Sequence, residues 1–211
     1  MNLNDIRQEY LQEELIIDSL QKNPIEQLNI WFNQALKSEI SYVNAANLAT
    51  VNESGIPASR VILIKDITKT GVTFYTDYRS EKGLHIESNN NVSLNIFWKE
   101  FDRQVRMVGT AKKMSAKENE AYFQSRPKSS QISAAASYQS SEVSKEGLYK
   151  ACDSLTKEYQ SEDFLPCPDK WGGYEITITG FEFWQGRPNR LHDRFKYIND
   201  AGAWIIKRVS P

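Results

Sequence analysis

Short runs of β-branched and aromatic residues fill the chain between residues 46 and 114. They read ANLATVN, SRVILIKDI, GVTFYTD, VSLNIFW and RQVRMVGTAKKM, and turn-forming stretches such as NESGIP and TKTG separate them. Connections this short suit hairpins between antiparallel strands, because a parallel crossover needs a dozen or more residues. Further runs, YEITITGFEFW, RLHDRFKYI and AWIIKRVS, follow near the end of the chain. The pattern predicts an antiparallel sheet as the centre of the fold.

Helical patterns flank and interrupt these strands. The first is NPIEQLNIWFNQALKSE, where Asn23 can cap the helix and Pro24 suits its first position. Its predicted core-facing residues are Ile25, Leu28, Phe32, Ala35 and Leu36. Other helices are predicted for RSEKGLHIES, for SAKENEAYFQSR with a Ser115 and Glu118 capping box, and for SKEGLYKACDSLTKEYQ. We therefore predict an α+β protein, an antiparallel barrel with peripheral helices.

No linker or internal repeat divides the 211 residues, which suffice to bury a substantial core. We expect one domain, residues 21–211, preceded by an N-terminal segment, residues 1–20. The formal net charge of −1 argues against binding nucleic acid or an anionic membrane through overall charge. No apolar run approaches the roughly 20 residues that cross a bilayer, and the N-terminus shows no signal-peptide core.

The cysteines and histidines are too few for a metal centre of the common kinds. Cys152 and Cys167 lack the repeated spacing of a disulfide framework or a zinc site, and His85 and His192 are the only histidines. We therefore expect a cytoplasmic protein without a metal site. The sequence also lacks the glycine-rich dinucleotide and P-loop motifs, the G-x-S-x-G elbow and the H-E-x-x-H motif. An enzyme of this kind commonly takes its chemistry from an organic cofactor.

Basic and polar residues recur where anions could bind, each with a plainer alternative. Arg60 and Lys65 stand at opposite ends and on opposite faces of RVILIK, and both could simply reach solvent. Tyr122 and Arg126 are one helical turn apart, with Ser130 beyond them. This group could form a phosphate pocket, or Arg126 could merely interact with the dipole at the end of the helix.

The segment FWQGRPNRLHDR concentrates positive charge beside Trp184. Arg190, His192 and Arg194 lie at alternate positions of a predicted strand and would share one face, with Asp193 on the other. Like charges in a row repel, so this arrangement favours an anionic ligand that offers charge-assisted hydrogen bonds. Elsewhere, the amides of Gln104 and Gln139 could read the edge of a flavin or pyridine ring, or be ordinary surface glutamines.

Together, FEFWQGRPNRLHDR, RVILIK, FYTD, RQVRMVG, YFQSRP, SYQSS and WGGYEI resemble the pyridoxamine/pyridoxine 5'-phosphate oxidases in order and spacing, from about residue 6 to Pro211. The resemblance implies an FMN-binding split β-barrel and a homodimer with FMN at two shared interface sites. It also implies oxidation of pyridoxamine or pyridoxine 5'-phosphate at C4' to pyridoxal 5'-phosphate. Hydride would pass to flavin N5, and O2 would reoxidise the flavin and give H2O2.

The same resemblance assigns roles to individual residues. The implied FMN contacts are Arg60, Val61, Ile62, Lys65, Tyr75, Thr76, Lys82, Gln104, Gln139, Ser140, Trp184 and Arg194. The implied contacts to the substrate phosphate are Lys65, Tyr122, Arg126 and Ser130. Arg190 and His192 would lie against the reacting pyridine ring as the catalytic residues, and Arg7 and Tyr10 would cover the occupied site.

The chain departs from the family pattern in two places. Glu81-Lys82 stands where the family usually has an Arg-Lys pair, and SAAASYQSS lacks the usual tryptophan. We expect Glu81 to point away from the FMN phosphate, which an acid would repel. Two rival hypotheses remain: a related split-barrel flavin oxidase acting on another ring, such as a phenazine-biosynthesis oxidase, and a non-catalytic carrier of FMN or pyridoxal phosphate. The group Tyr122, Arg126 and Ser130 favours the vitamin B6 phosphates.

Overall fold

The computed structural model describes Tyr10 and residues 14–211; Arg7 and most of the N-terminal segment lie outside this range. An antiparallel sheet organises the described residues. Its strands are β1 (Ala45–Val51), β2 (Pro57–Leu63), β3 (Asp66–Ile67), β4 (Gly71–Asp77), β5 (Asn91–Trp98), β6 (Arg103–Lys113), β7 (Trp171–Gln185), β8 (Asp193–Asp200) and β9 (Ala203–Arg208). Every strand pairing is antiparallel, so the prediction from the hairpin pattern is confirmed.

The sheet runs in the order β2-β1-β5-β6-β7-β4-β3, and β8 joins β7 to β9. SRVILIKDI, predicted as one strand, is divided between β2 and β3, which pair with different neighbours. At the break, the N–H of Ile64 donates to Asn44 O and the N–H of Lys65 donates to Thr73 O, both at 2.9 Å. One continuous run thus supplies both ends of the strand order, so the sheet must curl.

Helices pack around the curled sheet. They are α1 (Pro24–Lys37), α2 (Glu81–Ser88), α3 (Ala116–Ser125), α4 (Lys128–Ala136) and α5 (Lys145–Glu158). The Asn23 cap of α1 is confirmed, since its Oδ1 accepts from the N–H of Ile25 at 2.9 Å. The Ser115 and Glu118 capping box of α3 is confirmed as well. Helix α4 occupies a small-residue stretch for which the sequence predicted no element.

The core lies between α1 and the concave side of the sheet. Trp31 packs edge-on against Phe183 and Phe32 against Trp98, each with ring centroids 5.1 Å apart. The predicted buried face of α1 is confirmed except for Leu36, which is 59% exposed. Leu36 belongs to the last turn of the helix, where the adjacent Ala35 faces the core and Leu36 lies at the margin of the buried face.

The prediction that Arg190, His192 and Arg194 share one strand face is wrong. Pro188–Arg190 form a 3-10 turn, and β8 begins only at Asp193. Asn189 and Arg190 have φ of 56° and 60°, in the left-handed region that an extended strand does not visit. Pro188 lacks a backbone N–H, which disfavours strand pairing here.

Within the described residues, no helix is both long and apolar enough to span a membrane.

Candidate active site

A group of polar side chains surrounds the beginning of α2; we call it the α2 cradle (Arg60, Thr76, Ser80, Lys82, Gln139 and Ser140). Lys82 is buried, and its Nζ donates to Thr76 Oγ1 at 3.1 Å and to Ser80 Oγ at 3.2 Å. Thr76 Oγ1 donates to Gln139 Oε1 at 2.8 Å, and the N–H of Glu81 donates to Ser140 Oγ at 3.3 Å. Four predicted cofactor residues therefore meet here: Thr76, Lys82, Gln139 and Ser140.

Arg60 brings a second cation to the cradle from β2. Its Nη1 donates to Thr50 Oγ1 at 2.7 Å and to Ala58 O at 3.0 Å. Its Nη2 pairs with Glu81 Oε2 at 2.8 Å, so the expectation that Glu81 points away is wrong. The physical reason is that the guanidinium offers the exposed carboxylate an opposite charge within reach. Val61, beside Arg60 on β2, is exposed, while Ile62 faces the core.

The electrostatics of the cradle favour an anion. Burial lowers the pKa of Lys82 to about 8, and the positive charge of Arg60 adds to this effect. A buried ammonium whose recorded partners are hydroxyl groups has no directly bonded counter-charge. A phosphate at the beginning of α2 would supply that charge and would lie at the positive end of the helix dipole.

A second region is the Tyr122 pocket (Lys65, Tyr75, Tyr122, Arg126 and Trp171). Tyr75 stacks on Tyr122 with ring centroids 3.7 Å apart, and burial raises the pKa of Tyr75 to about 12. The guanidinium of Arg126 lies 4.8 Å from the centroid of Trp171, on which Tyr122 also stacks at 6.2 Å. The predicted proximity of Tyr122 and Arg126 is thus confirmed, although α3 ends at Ser125.

Arg126 is the clearest sign of a missing ligand in this pocket. Among the residues that the structure describes, its buried Nη1 has no hydrogen-bond partner, and burial lowers the pKa of the group. Lys65, Tyr75 and Tyr122 border a neighbouring cavity of about 300 Å³, whose other walls include Asp66, Glu118 and Glu175. Because those walls are acidic, an anion would bind on the Arg126 side. Ser130 lies in the first turn of α4, and no recorded contact joins its hydroxyl to Arg126.

The remaining predicted residues lie at the far end of β7. Gln104, Trp184 and Arg194 occupy directly opposed positions on β6, β7 and β8; we call them the Trp184 row. The guanidinium of Arg194 donates to Glu182 at 2.7 Å from Nη2 and to Ser210 O at 2.9 Å from Nη1. Cross-strand pairing therefore places three predicted cofactor residues side by side.

An aromatic cluster stands on the Trp184 row. The rings of Trp184 and His192 are 4.7 Å apart, and Tyr10 meets them edge-on at 5.6 and 5.2 Å. The placement of Tyr10 over this region agrees with its predicted covering role. The Nδ1 of His192 accepts from the N–H of Arg187 at 3.1 Å, which leaves the proton of neutral imidazole on Nε2. Burial and then Arg190 lower the pKa of His192.

Sequence reasoning missed Asp193 as the anchor of this cluster. The carboxylate is buried and accepts from the N–H of Leu15 at 3.0 Å and from Arg208 at 2.5 Å. It also faces Arg187 at 3.5 Å. Asp193 thus connects Leu15, the turn before His192 and β9. A lone acid within the basic segment RLHDR was the available signal.

Within the described residues, no hydrogen bond, ion pair or ring contact joins the α2 cradle to the Trp184 row. Thr76 on β4 pairs with Gly172 at the start of β7, and Trp184 lies twelve positions further along the same strand (184 − 172). At about 3.3 Å per residue this is roughly 40 Å measured along β7.

The profile of the family described as pyridoxamine 5'-phosphate oxidase matches residues 32–151. A second profile, for the pyridoxine 5'-phosphate oxidase C-terminal dimerisation region, matches residues 171–211, which contain β7, β8 and β9. The chain belongs to the pyridoxamine 5'-phosphate oxidase family. Its relatives include the pyridoxine/pyridoxamine 5'-phosphate oxidase of Alcanivorax borkumensis, 44% identical over 210 residues, 99% of this chain and 100% of that protein. As a family member the chain is an oxidoreductase, which confirms the predicted enzyme class.

Solved structures confirm the split-barrel fold expected of the pyridoxamine 5'-phosphate oxidase family. PhzG from Burkholderia lata, crystallised with tetrahydrophenazine-1-carboxylic acid, has a TM-score of 0.88 and 28% identity, covering 95% of this chain and 99% of its own. A pyridoxamine 5'-phosphate oxidase-related, FMN binding protein from Nostoc punctiforme has a TM-score of 0.72 and 19% identity, with 92% and 99% coverage. This second likeness bears on the fold alone.

Proposed function

We propose that this chain oxidises pyridoxamine or pyridoxine 5'-phosphate to pyridoxal 5'-phosphate, with FMN as cofactor and O2 as the electron acceptor that becomes H2O2. The observation that carries the proposal is a pair of separate groups of cationic and hydroxyl side chains on the two faces of one strand. Tyr75 and Thr76 are neighbours on β4 and point to opposite faces, one into the Tyr122 pocket and the other into the α2 cradle. One region suits the cofactor phosphate and the other the substrate phosphate.

FMN would be held at its phosphate by Arg60 and Lys82 in the α2 cradle, with Gln139 and Ser140 beside them. When bound, FMN supplies the acceptor for a hydride from substrate C4'. The buried, hydroxyl-bonded ammonium of Lys82 fits that assignment, because it lacks a directly bonded anion. The chain's own task is to hold the flat substrate ring at reacting distance and to keep water away.

The substrate phosphate would bind Lys65, Tyr122 and Arg126, with Ser130 as a further donor. A phosphate oxygen at Arg126 Nη1 would give this buried atom the partner that it lacks. Arg190 and His192 would orient the pyridine ring, with the imidazole offering Nε2–H to the substrate. Tyr10, already in contact with Trp184 and His192, would exclude solvent when the site is occupied.

We further propose that two copies of the chain build each site. The lack of any contact between the α2 cradle and the Trp184 row within the described part of one chain supports this, because the predicted cofactor contacts include both groups. The match of residues 171–211 to a dimerisation region supports it as well. In a symmetric dimer, the Trp184 row of each subunit could complete the cradle of the other, which would give two equivalent sites.

The direct test uses the purified full chain. We expect flavin absorbance, and peroxide formation when pyridoxamine 5'-phosphate is added in air. Arg190→Ala should abolish most turnover while FMN stays bound, and Arg60→Ala should instead weaken FMN retention. Bound flavin without peroxide from either vitamin B6 phosphate would contradict the proposal and favour a carrier.

A second candidate is oxidation of a ring without a phosphate. The structural likeness to PhzG, which was crystallised with tetrahydrophenazine-1-carboxylic acid, favours it. Arg126 argues against it, because a substrate without a phosphate offers no anionic oxygen to the buried Nη1, which has no hydrogen-bond partner among the described residues. Comparing pyridoxamine 5'-phosphate with pyridoxamine as substrates separates the two: equal kcat/KM would favour the second candidate.

A further inference from the structure

The carboxylate of Glu81 occupies the outward side of Arg60. Arg60 Nη1 is used within the chain, by Thr50 Oγ1 and Ala58 O. Nη2 points to the beginning of α2, and there Glu81 Oε2 accepts its hydrogen bond at 2.8 Å. The Arg60 side chain is 17% exposed and the Glu81 side chain 58%, so the ion pair joins a largely buried guanidinium to an exposed carboxylate.

An anion at the α2 cradle would bind the same Nη2 group of Arg60, which carries two hydrogens and donates one of them to Glu81. Glu81 is the first residue of α2, the helix whose N-terminal N–H groups face the cradle, and its own N–H is bonded to Ser140 Oγ. A phosphate bound to Arg60 and Lys82 must therefore displace the Glu81 carboxylate or lie beside it. Either event disfavours binding, because one costs an ion pair and the other places two anions side by side.

We propose that Glu81 is an internal competitor for the phosphate of the cofactor, and that it loosens the hold of this chain on FMN. The inference rests on the proposed function, which makes FMN the ligand of the cradle. The proposal concerns the selectivity for FMN over riboflavin as well as the affinity for FMN. Because riboflavin has no phosphate, Glu81 should lower the preference of the chain for FMN over riboflavin without changing riboflavin binding.

The test is flavin binding to the full chain stripped of cofactor, followed by quenching of flavin fluorescence. Glu81→Gln keeps the size of the side chain and removes its charge, and we expect the Kd for FMN to fall about tenfold. Glu81→Arg, which restores the pattern of the family, should lower it further. The Kd for riboflavin should stay the same in both variants, and the FMN difference should shrink as salt is raised.

Glu87→Gln is the matched control. Glu87 lies on the same helix with similar exposure and pairs with Lys113 at 2.5 Å, away from the cradle. We expect this variant to bind FMN as the native chain does. If the native chain bound FMN tightly and Glu81→Gln bound it equally well or more weakly, the inference would be overturned and the proposed function would stand. If neither the native chain nor the Glu81 variants bound FMN better than riboflavin, the proposed function would be overturned and the inference with it.

Discussion

The backbone N–H of Arg187 donates to Nδ1 of His192 at 3.1 Å, and this bond fixes the neutral tautomer of the imidazole. Protonation would place a second N–H against the N–H of Arg187. The bond therefore opposes the charged form, in the same direction as burial and the positive charge of Arg190, which lower the pKa of His192. At neutral pH the ring is thus a fixed donor through Nε2.

We predict that kcat/KM decreases at acidic pH because His192 becomes protonated. Since the pKa of the ring is lowered, it stays neutral until the pH falls below its ordinary value of 6.5, and activity should decline only there. His192→Asn keeps an oxygen that can accept from Arg187 but cannot ionise, so its limb should disappear and its kcat should drop about tenfold. Initial rates of peroxide formation between pH 5 and 8 measure both effects, at saturating FMN.

The substrate phosphate also titrates, with a second pKa of about 6, and the same variant provides the control. A limb caused by the substrate would persist in His192→Asn. Persistence of the limb would therefore contradict the assignment to His192.

The sequence predicted correctly those features that depend on residues close together in the chain. Hairpin spacing gave the antiparallel sheet, and Asn23 and Ser115 gave the starts of α1 and α3. The break of SRVILIKDI at Ile64 escaped prediction, because both halves keep a strand pattern and only their distant partners, β1 and β4, differ. Periodicity along a segment carries no information about which strand it will pair with.

The sequence predicted which residues belong to the candidate site but not how they are arranged or buried. The motifs identified Lys82 and Arg126, but their burial depends on α2, α3 and β7 coming together. The strand pattern of RLHDR misled because the φ values of Asn189 and Arg190 reverse the chain just before β8. The pairing of Glu81 with Arg60 joins residues 21 positions apart, beyond the reach of any local rule.

We predict that FMN affinity falls at alkaline pH because of Lys82. Its pKa of about 8 in the free chain means that the ammonium is charged below this pH and increasingly neutral above it. A phosphate dianion prefers the charged form, so the Kd should be flat below pH 8 and rise by up to about tenfold per pH unit above it. Titrations between pH 7 and 9.5 measure this. Lys82→Met should bind FMN weakly with no such dependence; a slope retained in that variant would exclude Lys82 as its origin.

We predict that Arg126→Met raises KM for pyridoxamine 5'-phosphate by about ten- to hundredfold, the equivalent of one charge-assisted hydrogen bond. The variant should fold well, since it removes a buried cation that has an unpaired Nη1. Its FMN content should match that of the native chain. Pyridoxamine without the phosphate is the control substrate, and its kcat/KM should not change. An equal loss for both substrates would place Arg126 in general packing instead of phosphate binding.

The last prediction tests whether two chains share a site. Arg60→Ala weakens FMN retention at the α2 cradle and Arg190→Ala removes part of the turn beside the Trp184 row, so at limiting FMN each homodimer should have little activity at either site. In a mixed dimer with one chain of each variant, one site receives both damaged parts and the other receives two intact ones. Coexpression should therefore restore roughly a quarter of the native activity, since half of the dimers are mixed and carry one good site.

Differently tagged chains allow the mixed dimer to be isolated, and its specific activity should approach half that of the native dimer. A mixed dimer as inactive as the two parents would mean that Arg60 and Arg190 of the same chain serve the same site. The shared site is the expected result, because no contact joins the cradle to the row within the part of one chain that the structure describes.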